Sequence, residues 1–337
     1  MKDNTPTLCI CGGGSLGLVC AGVFLSEGLI VNILTGHPEK WSKEIVVYDS
    51  DKKSYSGVLN HISDKAGEVV PEADIILLCL PGYLIEKTLR EIKPYLKKDT
   101  SVGSIVASTG FFFSAHDILP KDIQLFGFQR VPFIARQREY GRIGDLLGYK
   151  PSLNVVIENS RDIEKTRLIL EQIFQTPVKT LDNYLEVSLT NSNPILHTGR
   201  LYTMWSKDDF KKDRQSFFYK DWTDEASECL IKMDNEFQAL LRKLNIGSEV
   251  IPPLLDYYES TDSHSLTLKI KSIPAFREIL SPMIKVDEEW HPDFNSRYFT
   301  EDFPYGLRFI RDLAHKHSVP CPTIDKVFEW GMSKLKE

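Results

Sequence analysis

The sequence predicts an α/β protein with two domains, residues 1–182 and 183–337. In the first domain short apolar runs alternate with amphipathic segments, which is the pattern of a doubly wound, mostly parallel sheet covered by helices. From about residue 183 helical periodicity dominates, so the second domain is expected to be all-α. A chain of 337 residues is also too long for a typical single core, which supports the division.

Composition and charge narrow the function classes. The chain is 42% hydrophobic and 26% charged, which is ordinary for a globular protein, and its net charge is −6. An acidic balance argues against nucleic acid or an anionic membrane as the main partner. We find neither a signal peptide nor an apolar segment long enough to span a bilayer, so a cytoplasmic protein is expected, and a homodimer is left open.

The cysteines and the two C-terminal histidines are expected to be structural. No two cysteines form a C-x-x-C pair, and four lie in strongly apolar surroundings, which favours buried free thiols over disulfides or a zinc site. His315 and His317 have no third ligand beside them in the sequence, so a solvated helix end is favoured and no metal site is expected. The cysteines are Cys9, Cys11, Cys20, Cys79, Cys229 and Cys321.

A glycine-rich loop follows the first predicted strand, Thr7–Cys11. It matches G-x-G-x-x-G and leads into an apolar helix pattern from Leu18 to about Leu29. In this motif the first glycine makes a tight turn, the second lets the backbone approach a pyrophosphate, and the third permits close helix–strand packing. Free N–H groups at the helix start then receive the phosphates. The sequence therefore predicts a Rossmann-type dinucleotide-binding domain. The residues expected to contact the cofactor here are Gly12, Gly14, Ser15, Leu16 and Gly17.

The end of the second predicted strand, Val31–Thr35, indicates which dinucleotide binds. NAD enzymes usually carry Asp or Glu at this place to hold the ribose 2′-hydroxyl. This chain has Thr35 instead, with His37 and Lys40 close behind, so a 2′-phosphate is acceptable. Glu39 argues in the other direction. NADP(H) is accordingly favoured over NAD(H).

Two further features complete the first domain. A fully buried strand over residues 73–80 ends in Leu80 and Pro81, which we expect at the cofactor edge of the sheet. Polar residues over Asp49–Lys53 separate two strand-like runs and predict a hairpin.

The stretch Asn191–Arg200 lies where the two patterns meet, and it contains a candidate acid/base. Asn193 is expected to be a helix N-cap and Pro194 the first helical residue, which places His197 in the first turn. The positive end of the helix disfavours imidazolium there and attracts anions, so His197 is a candidate to face a carboxylate substrate. The alternative is a histidine that only satisfies a neighbouring carbonyl.

A third motif lies near the C-terminus. Residues 297–307 read RYFTEDFPYGL, in which the two acids could simply fill a helix N-terminus. Together with the glycine loop and NPILH at residues 193–197, however, this motif makes the chain resemble the opine dehydrogenase family, of the octopine/nopaline dehydrogenase type. The resemblance spans nearly the whole chain, and its last two motifs are much more specific than the glycine loop.

The resemblance implies an activity and a set of site residues. It implies NAD(P)H-dependent reductive condensation of an amino acid, or a related amine, with a 2-keto acid such as pyruvate. The catalytic histidine and aspartate of that family map onto His197 and Asp302, and its arginine maps onto Arg297, near cofactor and substrate. Asn193 is a further candidate for substrate contact. So is Arg136, whose guanidinium offers a carboxylate a bidentate fork, although most arginines around it are expected in a solvated loop.

Two alternatives stay open at this point. A simple 2-keto or 2-hydroxy acid reductase, of the ketopantoate reductase or glycerol-3-phosphate dehydrogenase type, has a related two-domain plan. Those families depend on a lysine in the helical domain, where this chain offers His197. A non-catalytic nicotinamide-binding sensor would need the glycine loop but not a pair formed by His197 and Asp302.

Overall fold

The computed structural model describes residues 5–207 and 213–335. Strands and helices alternate in the first part of the chain, and helices dominate the second. The strands are β1 (Thr7–Cys11), β2 (Ile30–Leu34), β3 (Glu44–Asp49), β4 (Ser54–Val58), β5 (His61–Ser63), β6 (Ile75–Leu78), β7 (Ser101–Ser104), β8 (Gln124–Phe128), β9 (Phe133–Glu139), β10 (Ile143–Tyr149), β11 (Leu153–Glu158), β12 (Val178–Thr180), β13 (Met283–Val286) and β14 (Glu289–Pro292). The helices are α1 (Ser15–Ser26), α2 (Ala66–Val69), α3 (Gly82–Ile92), α4 (Phe111–Ile118), α5 (Ile163–Phe174), α6 (Tyr184–Ser188), α7 (Asn193–Trp205), α8 (Asp224–Lys243), α9 (Leu254–Tyr257), α10 (Ser263–Ser272), α11 (Arg297–Thr300), α12 (Arg308–Lys316) and α13 (Pro322–Lys334).

The chain divides into two compact units, with the boundary between Ser188 and Leu189. The sequence placed the boundary six residues earlier, after Asp182. The difference is α6, which packs against β11, β8 and α4 and so belongs with the first unit.

The first unit is built on an eight-stranded sheet with the order β12-β11-β8-β7-β6-β1-β2-β5. All neighbouring strands are parallel except β8 and β11, which run antiparallel. Apolar side chains of α1 and α5 cover one face, and those of α2, α3 and α4 cover the other. With both faces covered, the central strands are apolar along their length, as a parallel sheet requires.

A second, four-stranded sheet with the order β4-β3-β10-β9 packs on α1. Its β3–β4 half is the predicted hairpin, which is confirmed. Its β9–β10 half was not predicted, and the expectation that most arginines of this region lie in a solvated loop is wrong for Arg136 and Arg138. Both are in β9, where Phe133 and Ala135 are buried while Ile134 and Arg136 are exposed. That alternation is the period of a strand with one covered face.

The second unit is organised around α8, which packs against α7, α10, α12 and α13. Thr223 caps its start by accepting from the Ala226 N–H at 3.2 Å. At its end Asn245 adopts a left-handed φ of 57°, and the Ile246 N–H donates to the Leu241 carbonyl at 2.9 Å. The unit is not purely helical, because β13 and β14 form a small antiparallel hairpin.

The cysteines are all free, and all except the half-buried Cys229 are buried, as predicted. Along residues 5–207 and 213–335 we find no helix with the length and apolar content needed to cross a membrane.

Candidate functional site

A cavity of about 680 Å³ opens in the first unit at the carboxyl ends of β1, β2 and β6. This edge of a parallel sheet is where doubly wound folds bind nucleotides. Four of the predicted cofactor residues do not line this cavity. Ser15, Leu16 and Gly17 lie in the first turn of α1, and Lys40 is exposed in a 3₁₀ turn. The predicted cofactor residues that line the cavity are Gly12, Gly14, Thr35, His37, Leu80 and Pro81.

The glycine loop fits the pyrophosphate of a dinucleotide. Gly12 has a φ of +126°, and a Cβ there would lie 2.5 Å from the Cys79 carbonyl oxygen, so no other residue fits. Gly17 lies directly against the Gly12 carbonyl, which lets α1 approach β1 closely. Apart from its own chain neighbours, a Cβ on Gly14 would meet no atom of the described residues within 4 Å, which leaves open space at the start of α1. The first turn of α1 contains no acidic side chain, so its positive end is available to phosphates.

Charges of both signs lie near the end of β2, where the ribose of such a cofactor would sit. Thr35 is buried, and its hydroxyl accepts from the His37 N–H at 3.4 Å. The His37 ring is exposed, with Nδ1 3.4 Å from Glu39 Oε1. Asp64, which the sequence analysis missed, also lines the cavity directly after β5.

In the second unit, three side chains form one hydrogen-bonded chain. His197 Nδ1 lies 2.8 Å from Asp302 Oδ2, and His197 Nε2 lies 3.0 Å from the Tyr219 hydroxyl. The side chains of His197 and Asp302 are only 12% and 16% exposed. An ionised carboxylate can only accept, so in a neutral imidazole Nδ1 carries the proton and Nε2 accepts from Tyr219.

Aromatic rings pack around these three side chains. The Tyr298 ring lies 4.7 Å from the His197 ring, and the Phe218 ring meets it edge-on at 5.6 Å. Burial raises the pKa of Tyr219 well above its ordinary value, and it also raises the pKa of Tyr298, with Asp302 as a second cause. Both phenols therefore stay protonated at neutral pH and can act as hydrogen-bond donors.

α7 carries His197, although it begins differently from the prediction. Asn193 is the first helical residue and not the N-cap, which is Ser192. The side chain of Asn191 accepts the Asn193 N–H at 3.2 Å, so the loop before the helix caps it. His197 is consequently the fifth helical residue, just beyond the first turn, and the helix dipole acts on it less than expected.

A π-helical turn, Phe303–Leu307, fixes Asp302 beside α7. The Leu307 N–H donates to the Asp302 carbonyl at 2.7 Å, five residues back. Such turns widen a helix locally and often occur at functional sites. The turn packs on α7 through Gly306, where a Cβ would lie 2.6 Å from Pro194 Cγ.

A buried arginine fixes Tyr219. Arg200 is 4% exposed; its Nε donates to the Phe218 carbonyl at 3.1 Å and its Nη2 to the Asp221 carbonyl at 2.7 Å. Burial lowers the pKa of Arg200 to about 10. The guanidinium thus ties the backbone on both sides of Tyr219 to α7, one turn after His197. The Tyr219 ring itself stacks on Phe276 at 4.1 Å.

The predicted substrate residues lie outside this chain of hydrogen bonds. The Arg297 side chain is 85% exposed, and its Nε lies 3.8 Å from Glu301 Oε1. Asn193 is half-buried at the start of α7. Arg136 is exposed on β9 and donates to the Ala135 carbonyl at 3.0 Å.

The fold brings two side chains to His315 that the sequence did not reveal as neighbours. His315, Cys321 and Asp325 place their ligand atoms within 4.8 Å of one another. Arg311 Nε also donates to Asp325 Oδ1 at 2.7 Å, so a guanidinium already balances this carboxylate. A cation would have to displace that ion pair.

Comparison with known proteins agrees with both units. Residues 180–335 match the family model of the α-helical domain of NAD/NADP octopine/nopaline dehydrogenase, and residues 8–120 match that of ketopantoate reductase. The chain is 26% identical to the opine dehydrogenase of Haliotis discus hannai, with 98% of this chain and 90% of that protein covered. It is 27% identical to the tauropine dehydrogenase of Arabella iricolor, with 97% and 91% covered.

The chain resembles the opine dehydrogenase family over nearly its whole length. The structure of an octopine dehydrogenase with NADH and L-arginine has the same fold, with a TM-score of 0.86 at 23% identity over 98% of this chain and 90% of that one. The predicted fold class, a Rossmann-type domain followed by a helical opine dehydrogenase domain, is confirmed.

Sequence reasoning missed several side chains of the two candidate sites, one in each unit. Tyr219 is 22 residues from His197 and carries no motif; the aromatic run at residues 217–219 was the available signal. Tyr298 lies within the third motif but was given no role. Tyr140 and Asp64 line the cavity from segments that no glycine pattern marks.

We predict that Gly306→Ala destabilises the second unit and disturbs Asp302. The new Cβ would overlap Pro194, and overpacking of this kind typically costs about 1–3 kcal/mol. The measurement is the free energy of unfolding in urea. Gly199→Ala is the matched control, because its Cβ would meet only flexible side chains: Met233 Sδ at 3.1 Å, Cys229 Sγ at 3.9 Å and Leu230 Cδ1 at 4.0 Å. Equal stability of the two variants would contradict the close contact with Pro194.

Proposed function

We propose that this chain catalyses the NAD(P)H-dependent reductive condensation of an amino acid, or a related amine, with a 2-keto acid. By its similarity to opine and tauropine dehydrogenases it is an NAD(P)-dependent oxidoreductase acting on CH–NH donors. The observation that carries the proposal is the enclosed His197–Asp302 pair, 2.8 Å apart, in the part of the chain that matches the family's helical domain.

The reaction needs proton transfers at several steps. The amine adds to the keto carbonyl, the adduct loses water to give an imine, and reduction of the imine carbon yields a secondary amine. The bound nicotinamide supplies the hydride. The amine must arrive unprotonated, and the departing hydroxyl must receive a proton, so a group that exchanges protons near neutral pH is required.

His197 suits this role because its partners tolerate both of its protonation states. In the neutral ring, Asp302 accepts from Nδ1 while Tyr219 donates to Nε2. In imidazolium both nitrogens donate, and the Tyr219 oxygen then accepts. Asp302 also stabilises the positive charge. Because Asp302 already engages Nδ1, we assign proton transfer to Nε2.

The two substrates bring carboxylates, which require cations. We propose that Arg297 binds one of them, because its exposed guanidinium shares α11 with Tyr298, whose ring packs on His197. Asn193, at the start of the helix that carries His197, and Arg136, on β9, are the other candidates.

Arg297→Lys should raise KM for the keto acid more than it lowers kcat, because the bidentate fork is lost.

We predict that His197→Ala lowers kcat by about 10²–10⁴-fold, the usual contribution of a general acid/base. Cofactor affinity should stay within about twofold, because the glycine loop belongs to the other unit. Steady-state kinetics and cofactor titration measure the two effects. His317→Ala, at the end of α12, is the control. Full activity of the His197 variant would refute the assignment.

The reaction class has a separate test. We predict that NAD(P)H oxidation with pyruvate, or another 2-keto acid, stays slow until an L-amino acid or a related amine is added. The product should be a secondary amine dicarboxylate of the mass expected for condensation. Fast reduction to the 2-hydroxy acid without any amine would exclude this proposal and favour a simple reductase.

For the cofactor we propose a preference for NADPH over NADH. Thr35 offers a neutral hydroxyl where NAD enzymes usually carry an acid, and the His37 ring lines the same cavity. Glu39 and Asp64 oppose this preference through their negative charge, and Glu39 also lies against His37.

Two substitutions test the preference by fluorescence titration. Glu39→Gln should tighten NADPH binding and leave NADH binding unchanged, because only the 2′-phosphate carries the extra charge. His37→Ala should weaken NADPH binding selectively. If the wild-type chain binds NADH more tightly than NADPH, the preference is reversed and Asp64 or Glu39 becomes the ribose ligand.

A further inference from the structure

A second cavity, of about 570 Å³, lies in the first unit at the edge of the main sheet opposite the cofactor cavity. It opens at the amino ends of β6, β7 and β8, beside the start of α5. β6 runs between the two cavities: Ile75, its first residue, lines this one, and Cys79, just beyond its other end, lines the cofactor cavity. The volume falls within the range of roughly 300–1,000 Å³ that is usual for small-molecule sites.

Part of the cavity wall is apolar. Ile75 and Phe126 line it from the sheet, and Ile169 and Leu170 line it from α5. A Cβ on Gly103 would lie 2.2 Å from the Phe126 ring, so the ring occupies the place of the missing side chain on β7. These side chains offer the apolar body of a ligand a surface on which to lose its contact with water.

Another part of the wall is a chain of polar side chains. Gln124 Nε2 donates to Ser101 Oγ at 2.6 Å, and Gln124 Oε1 lies 3.3 Å from Thr166 Oγ1. Ser101 thus accepts, and among the described residues its own O–H and the second N–H of the Gln124 amide have no acceptor. Both side chains are half-buried and line the cavity, so an oxygen of a ligand can accept from them.

Four cations and four acids surround the opening. Arg161 pairs with Asp99 at 3.7 Å. Asp162 accepts the Lys165 N–H at 2.9 Å and so caps α5, whose positive end offsets the negative charge. Three lysines then face two acids, and none of the three has a carboxylate partner among the described residues. This excess of positive charge favours an anion. The lysines are Lys98, Lys121 and Lys165, and the two acids are Asp74 and Asp122.

We propose that this cavity binds a small carboxylate with an apolar body, at a site separate from the cofactor cavity. The carboxylate accepts from Ser101 and Gln124, and the lysines stabilise its charge. The apolar body packs on Phe126 and Leu170. A carboxylate suits the polar wall better than a neutral amide because both unused groups there are donors, and an ionised carboxylate can only accept.

Phenylacetate is the probe, and phenylacetamide is its neutral counterpart of the same shape. Their dissociation constants are measured by ligand-detected NMR titration, with and without saturating ADP-ribose. Phenylacetate should bind at least about fivefold more tightly than phenylacetamide, because only the anion is attracted by the lysines. ADP-ribose should leave both affinities unchanged, because it occupies the opposite edge of the sheet.

Two sets of variants assign the binding to this cavity. Lys121→Ala combined with Lys165→Ala should weaken phenylacetate binding about 3–10-fold and leave phenylacetamide binding unchanged. Lys97→Ala combined with Lys179→Ala is the matched control, because both lysines are exposed in the same unit and lie outside the lining. Thr166→Trp, which fills the cavity from α5, should abolish the binding of both compounds.

Equal affinity of the wild-type chain for the two compounds, or no binding of either, would overturn the inference. Phenylacetate binding that the paired lysine variant leaves unchanged would overturn it as well, because the binding then belongs to another site. If Thr166→Trp does not fold, the exposed lysines still decide the question. The titrations without ADP-ribose do not depend on a dinucleotide, so failure to bind NAD(P)H would refute the proposed function alone.

Discussion

The contact between Gly306 and Pro194 is the constraint on which the candidate catalytic group depends. His197 and Asp302 are 105 residues apart, and their hydrogen bond requires two backbones to approach almost to contact. A glycine on the π-helical turn and a proline near the start of α7 make that approach possible. On the other side of the same turn, Gly331 of α13 leaves room for the Phe303 ring. The turn is thus held between two helices, and Asp302 has little freedom to leave His197.

Close backbone packing at glycines also shapes the cofactor cavity. Gly12 and Gly17 let α1 and the carboxyl edge of the sheet meet, and Gly13 leaves space beside Thr35, Tyr140 and Trp41. In each unit, a glycine lets two elements pack closely, and this brings the polar groups of those elements near each other. Close backbone approach of this kind specifies geometry without burying additional charge. The buried guanidinium of Arg200 donates hydrogen bonds to backbone carbonyls and so fixes a loop.

Local sequence patterns predicted the secondary-structure elements that are determined by residues near one another in the sequence. The buried strands β1, β2 and β6 of the main sheet follow from apolar runs, and these predictions hold within a few residues. The β9–β10 hairpin was missed because its exposed arginines drew more weight than the alternation of Phe133 and Ala135. The start of α7 was misplaced by one residue because Ser192 and Asn193 are both good capping residues, and only the fold decides between them.

The partners of His197 could be predicted only in part, and the reason is distance along the chain. Asp302 was predicted from a motif. Periodicity alone does not indicate which residues far apart in the sequence come into contact. Tyr219 belongs to no motif. Its position is set by Arg200, which donates to backbone carbonyls, and a backbone carbonyl is present whatever the residue type. Residues that act through backbone contacts or fold-dependent cavities therefore have to be read from the structure.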